Sequence, residues 1–276
     1  MDLRARKIRT ALSKHCKGNW SERYQKRTKK EARPQEEIDQ AFSDRKANRL
    51  MIGDCEYPDY FTNCPYPPRV RYYYGNLSLR KTRYRLTCVG TRKPTIYQHD
   101  TCSRLIEEIE DVRKNKVAIV SGRAAGLDEA FRRAARKKNA PVIAVLGSGI
   151  DFCYPDKNKD IYEYCKSGKG LVISEYPGNL APKQDNFLFR NRLMAARSEV
   201  VFIGGGSARR SGTKATVRYA LDRNKEVMAL PCNITGDDLT NTIIQEGAQA
   251  VLTSQDILDQ LKDCYRKEME YKKFLA

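Results

Sequence analysis

The chain has 276 residues, 40% of them hydrophobic, which suits one α/β domain with a smaller appendage. Lysine and arginine number 52 against 34 aspartate and glutamate, and the formal charge of +18 points to a polyanionic partner, either nucleic acid or an anionic membrane. No apolar run approaches the ~18 residues of a membrane span, and the basic opening MDLRARKIRTAL lacks the apolar stretch of a secretory signal, so a cytoplasmic protein without a membrane segment is expected.

Residues 1–50 are strongly charged, with helical patterns broken at Pro34 and almost no strand signal. They read as a basic helical arm or small helical domain, either touching nucleic acid or presenting a solvated face. Residues 51–82 are rich in Pro and Tyr; Pro65, Pro67 and Pro68 favour extended backbone, and Tyr72–Tyr74 alternate like a short strand before Gly75-Asn76. This segment is expected as a cover on the next domain. Residues 83–264 then alternate strand and helix, and 265–276 read as a tail.

The regular part begins with a strand at Arg85–Val89 and an amphipathic helix over Gln98–Arg113. Val117–Val120 is a buried-type strand, followed by a helix from Gly126 with Ala130, Phe131, Ala134 and Ala135 on one face and Arg132, Arg133 and Arg136 outside it. Further strands are expected at Val142–Leu146, Leu171–Ile173, Glu199–Ile203, Glu226–Leu230 and Ala250–Leu252, with helices near Asp156–Lys166, over Phe187–Arg197, Gly212–Arg223 and Leu239–Glu246, and from Ser254. Such alternation predicts an α/β fold with a doubly wound, mostly parallel sheet.

The strands end in small turns: Gly90-Thr91-Arg92, Ser121-Gly122-Arg123, Gly147-Ser148-Gly149 and Gly204-Gly205-Gly206. Small residues let a ligand approach the backbone, and the helix starts that follow offer free N–H groups to phosphates. Neither GxGxxG with a downstream acid nor GxxxxGK[ST] is present, which argues against an ordinary dinucleotide enzyme or P-loop NTPase. Lys183–Arg223 holds nine cations against three acids. Within it Arg190 and Arg192 interleave with Phe187 and Phe189, while Arg209 and Arg210 precede Ser211-Gly212-Thr213 at a helix start. Basic and aromatic side chains together suit single-stranded nucleic acid; the competing reading makes Arg190 or Arg192 a buried ion-pair partner. Nine cysteines without a CxxC imply reduced thiols, and His15 and His99 have no partner at ligand spacing, so no metal or cofactor is expected.

Eight collinear blocks carry a resemblance: YP…PP…YYGNL, GTRKPTIY, SGRAAGLDEA, IAVLGSGIDFCYPDKN, LVISEYP, NFLFRNRLMA, ARRSGTKATVRYAL and LTNTIIQEGA, from Tyr57 to about Leu258. Together they resemble the DNA-processing protein A (DprA/Smf) family. The resemblance implies an extended Rossmann-like domain over 83–264 that binds single-stranded DNA without catalysis, associates as a homodimer and loads the RecA recombinase in natural transformation. Carried over by position, it implies DNA contacts from Arg92, Lys157, Phe187, Arg190 and Arg192, joined by Lys183, Arg209 and Arg210 of the basic segment. An anion pocket is implied at Ser121, Gly122 and Gly126, completed by Ser211, Gly212 and Thr213, with Gly90, Thr91, Gly147, Ser148 and Gly149 along the same edge. The alternative is a nucleotide-binding enzyme or sensor of the phosphoribohydrolase and lysine-decarboxylase-like group. That group's PGGxGTxxE carboxylate is replaced here by Thr216, leaving Glu175 as the edge carboxylate.

Overall fold

The structure, a computed structural model, describes residues 47–275 apart from 65, 115, 123, 155–158, 209–211 and 235–238. The chain runs β1 (Asn48–Met51), α1 (Asp59–Thr62), β2 (Val70–Gly75), β3 (Tyr84–Val89), α2 (Ile96–Arg113), β4 (Val117–Ser121), α3 (Leu127–Lys137), β5 (Val142–Val145) and α4 (Lys159–Tyr164). It continues β6 (Gly170–Ser174), α5 (Gln184–Arg197), β7 (Val200–Ile203), α6 (Gly212–Leu221), β8 (Glu226–Ala229), α7 (Leu239–Gln245), β9 (Gln249–Ala250) and α8 (Ser254–Leu275).

All nine strands form one sheet in the order β1-β2-β6-β5-β4-β3-β7-β8-β9. From β6 to β9 every pair is parallel, and β1–β2 and β2–β6 are antiparallel. Every residue of β4, β5, β6 and β7 is buried, as expected of parallel strands covered on both faces. On one face Leu86, Ile119 and Phe202 pack with Leu105 and Ile106 of α2, Phe131 of α3 and Ile257 of α8. On the other, Val120, Ile143 and Val201 pack with Leu193 and Met194 of α5 and Val217 of α6. Each such fully buried side chain contributes about 1.5–3 kcal/mol, so both helical layers are held by their apolar stripes.

The expectation of a doubly wound, mostly parallel sheet is met, and three local expectations change. The 51–82 segment does not only cover the domain: β2 pairs with β6, with Tyr72 opposite Ser174, and β1 pairs with β2. An uncovered β6 would present a row of unpaired backbone groups, and the alternating Val70, Arg71, Tyr72 and Tyr73 supply a strand for it. The expected tail boundary at 264 falls inside α8, which is continuous. Arg132, expected on the outer face of α3, is wholly buried, its guanidinium donating to the Gly122 carbonyl and, at 3.4 Å, to Ala124. Of the basic helical arm expected over residues 1–50, residues 1–46 lie outside the described residues, and 48–50 belong to β1 rather than to a helix.

The chain passes outward from β3 through β4 and β5 to β6, then α5 carries it back to β7 on the other side of β3. The winding reverses between β3 and β7. In open α/β sheets the crevice beyond the carboxyl ends of the strands at such a point is the ligand site.

Candidate nucleic-acid interface

A cleft of about 730 Å³ opens at that reversal. Gly90, Thr91, Arg92 and Lys93 after β3 form one wall; Gly206, Ser207, Gly212, Thr213 and Thr216 after β7 form the other. The first turns of α5 close the third side. Residues Phe187, Arg190, Asn191 and Met194 all line the cleft, and their spacing of three, four and seven is one face of an α-helix.

The same geometry separates the two arginines of the NFLFRNR block. Residues two apart on a helix point about 200° from each other, so Arg190 and Arg192 cannot share a wall. Arg192 turns inward and is 1% exposed. It grips Glu175 with both terminal nitrogens, at 2.8 and 2.7 Å. It also donates to the Phe189 carbonyl at 2.8 Å and the Tyr66 carbonyl at 3.0 Å, and its guanidinium lies 3.6 Å from the Phe189 ring centre. The expected DNA contact at Arg192 is therefore replaced by an interior tie, and the edge carboxylate Glu175 is consumed by it.

Arg190 reaches the cleft but is only 4% exposed. It donates to the Val145 carbonyl, and through Nε to Asn191 at 3.1 Å. Asn191 in turn donates to the Gly212 carbonyl at 2.9 Å, fixing the start of α6. Beside Arg190 sits Asp128, from the first turn of α3. Its carboxylate accepts backbone N–H groups of Ala124 and Gly90. Burial pushes the Asp128 carboxyl above the ordinary aspartate range, against the pull of Arg132 and Arg190. Burial likewise pulls the Arg190 guanidinium down to about 10, with Asp128 opposing, so it stays charged at neutral pH. A Cβ on Gly122 would stand 2.6 Å from both Arg190 Nη2 and Asp128 Oδ2; only glycine leaves room for this floor.

The turn residues divide. Gly90, Thr91, Gly212 and Thr213 line the cleft. Gly126, at φ +79°, backs the Thr91-Arg92 wall, and Leu127 N–H donates to the Thr91 carbonyl at 3.1 Å. Ser121 and Gly147-Ser148-Gly149 do not reach it. Ser121 is wholly buried and donates to the Cys88 carbonyl at 3.0 Å. Ser148 donates to the Phe152 carbonyl at 3.3 Å, Gly149 N–H to Leu180 at 2.8 Å, and Gly147 lies under the Phe187 ring. Of these residues only Gly147 meets Phe187, whose ring a larger residue there would displace.

Among the described residues, Arg92 and Lys93 of the cleft lining are solvent-exposed cations, and exposed Lys183 caps α5 next to the lining residue Gln184. Arg92 lies 6.0 Å from the Phe187 ring centre. Phe187 is 6.3 Å from Tyr154, which is 6.4 Å from Phe152, so three tilted rings lead out of the cleft. Lys93, Gln184, Asn191, Phe152 and Tyr154 were not singled out from the sequence; Asn191 was legible as the fourth residue after Phe187. Lys157, Arg209, Arg210 and Ser211 lie outside the described residues. Among the described residues no group of three metal-ligating side chains occurs, and no helix is long and apolar enough to cross a membrane.

Comparison with known proteins identifies the family of the chain. The model of the DNA recombination-mediator protein A family matches residues 48–262. Protein Smf of Synechocystis is 34% identical over 218 residues, 77% of this chain and 53% of that protein. DNA processing protein DprA of Bacillus subtilis is 30% identical over 81% of this chain and 74% of its own length. The chain thus spans about half of one relative and about three quarters of the other. Among solved structures, DNA processing protein A from Streptococcus pneumoniae superposes with a TM-score of 0.74 at 26% identity, covering 93% of this chain and 96% of that one. The Helicobacter pylori protein, described for its single-stranded DNA binding mode, gives 0.69 at 31% identity over 79% of this chain and 96% of that one. With the family model spanning the whole sheet and the switch-point cleft within it, the chain belongs to the DNA recombination-mediator protein A family.

Proposed function

We propose that this chain binds single-stranded DNA at the β3–β7 cleft and does no chemistry on it. The observation that carries this reading is the rim itself: Arg92, Lys93 and Lys183 stand in solvent around the partly exposed rings of Phe187 and Tyr154. Cations hold phosphates while bases stack on rings, which tolerates any sequence. The single-stranded DNA binding named for the Helicobacter pylori relative supports it. Homodimerisation and delivery of the strand to the RecA recombinase in transformation belong to the same reading and rest on family membership. Thr216 lines the cleft where a related hydrolase needs its proton-transfer carboxylate, which favours binding over catalysis.

The test compares labelled single- and double-stranded oligonucleotides at two salt concentrations. Preference for the single strand is expected, with log affinity falling against log salt by about 0.7 per neutralised phosphate. Equal affinity for both forms, or release of free base from AMP, overturns the reading.

A further inference from the structure

The groups of the proposed interface fall along the carboxyl edge of the sheet, and the line they make continues past the cleft. The strand order there is β5-β4-β3-β7-β8. Phe187 stands over Gly147, just past β5, with the Tyr154 ring beyond it. Arg92 and Lys93 follow β3. The same loop then runs into α2, whose first two residues are Ile96 and Tyr97, 84% and 53% exposed.

Tyr97 is held in one place. Its hydroxyl donates to the Pro231 carbonyl, just past β8, at 3.1 Å. Beside it, Gln98 donates through Nε2 to Cys232 Sγ at 3.3 Å and closes a capping box with Thr95. The first turn of α2 is thus tied to the loop after β8 at two points, and the Tyr97 ring lies on the β8 side of the reversal. About half of that ring stays open to solvent with its hydrogen bond already made. A fixed ring loses little freedom on binding, and its π-face accepts any base. The acid of this turn, Asp100, is engaged by His99 Nδ1 at 2.9 Å, while Lys93, four residues before Tyr97, is an exposed cation.

We infer that the strand held in the cleft runs on along this edge, past Lys93, and stacks a further base on Tyr97 with Ile96 beside it. The inference rests on the single-strand reading of the cleft. Neighbouring strands lie about 4.8 Å apart, so β8 is roughly 10 Å beyond β3. At ~3.4 Å per stacked base, Tyr97 meets the strand about three nucleotides from the phosphate held at Arg92. A protein partner on the same patch would leave DNA affinity independent of Tyr97.

The test titrates the full chain with oligothymidylates of about 4 to 16 nucleotides, in wild-type, Tyr97→Ala, Tyr97→Phe and Phe187→Ala forms. Tyr97→Ala is expected to bind the shortest strands as wild type does and the longest about 5- to 150-fold more weakly. The length at which affinity stops rising should shorten by about three nucleotides. Tyr97→Phe, which keeps the ring, should stay closer to wild type than to Tyr97→Ala. If Tyr97→Ala matches wild type at every length while Phe187→Ala weakens binding, this inference is overturned and the cleft reading stands. Equal weakening at every length also overturns it, because Tyr97 then acts only through the shape of the cleft. Failure of wild type to bind any length sinks both. Should Tyr97→Ala not fold, wild type is photo-crosslinked to strands carrying a single iodouracil at each position in turn. A crosslink to Tyr97 is expected, and crosslinks confined to the cleft refute the path.

Discussion

Replacing Glu175 by Gln isolates the role of Arg192. The wild-type pair is bidentate, at 2.7 and 2.8 Å, with side chains 1% and 4% exposed. Glutamine keeps the volume but removes the charge, leaving a guanidinium buried beside an amide. Removing one partner of a buried pair costs about 3–5 kcal/mol. For a chain of this size each kcal/mol moves the melting midpoint by roughly 2–4 °C, so a fall of about 6–20 °C is expected. The charge-free double variant Glu175→Leu/Arg192→Met should recover more than half of that loss, because an apolar pair has no desolvation penalty. Urea unfolding measures the free energies, and single-strand affinity is measured on the folded protein. If Glu175→Gln changes stability by less than about 0.5 kcal/mol while weakening DNA binding, Arg192 is a ligand contact and the structural assignment is wrong.

The remaining expectations separate rim from floor. Arg92→Ala should flatten the salt dependence of single-strand affinity by about 0.7 with no change in melting midpoint; an unchanged slope in a filter-binding titration contradicts its place on the rim. Phe187→Ala should weaken binding by about 1–3 kcal/mol, as should Tyr154→Ala if the rings form one track; loss in only the first confines stacking to the cleft. Asp128→Asn tests the buried carboxyl, whose folded value lies above its unfolded one. Such a group favours the fold below the ordinary aspartate range, and that contribution is lost as pH rises through the raised value. The stability of Asp128→Asn relative to wild type should therefore increase with pH across that window; urea midpoints that fall together at every pH would refute the assignment.

The alternation of buried-type strands with amphipathic helices was enough to place β3 to β9, because parallel strands covered on both faces leave uninterrupted apolar runs such as VAIV and VIAV. The glycine turns marked the carboxyl edge. What stayed hidden was direction. Ser121 and Ser148 follow the same small-residue pattern as Thr91, yet both are buried and bond to backbone carbonyls, since only the turns after β3 and β7 border the reversal in winding. Strand order is a long-range property and has no local signature. The 51–82 segment carries proline and tyrosine signals that read as a cover, and only the pairing of its β2 with β6 and β1 makes part of it a strand of the sheet.

Arginine count was the least transferable signal, for a physical reason. Charge in a sequence becomes field at a surface only where the side chain reaches solvent. Arg71, Arg132, Arg190, Arg192 and Arg197 are each no more than 4% exposed. Within the basic segment, Arg190 and Arg197 share one face of α5 and Arg192 lies on the opposite one, yet all three turn into the protein, while Lys183, Lys214 and Arg218 remain outside. Counter-ion release on DNA binding counts only the second group, so the salt slope should be far shallower than the net charge suggests.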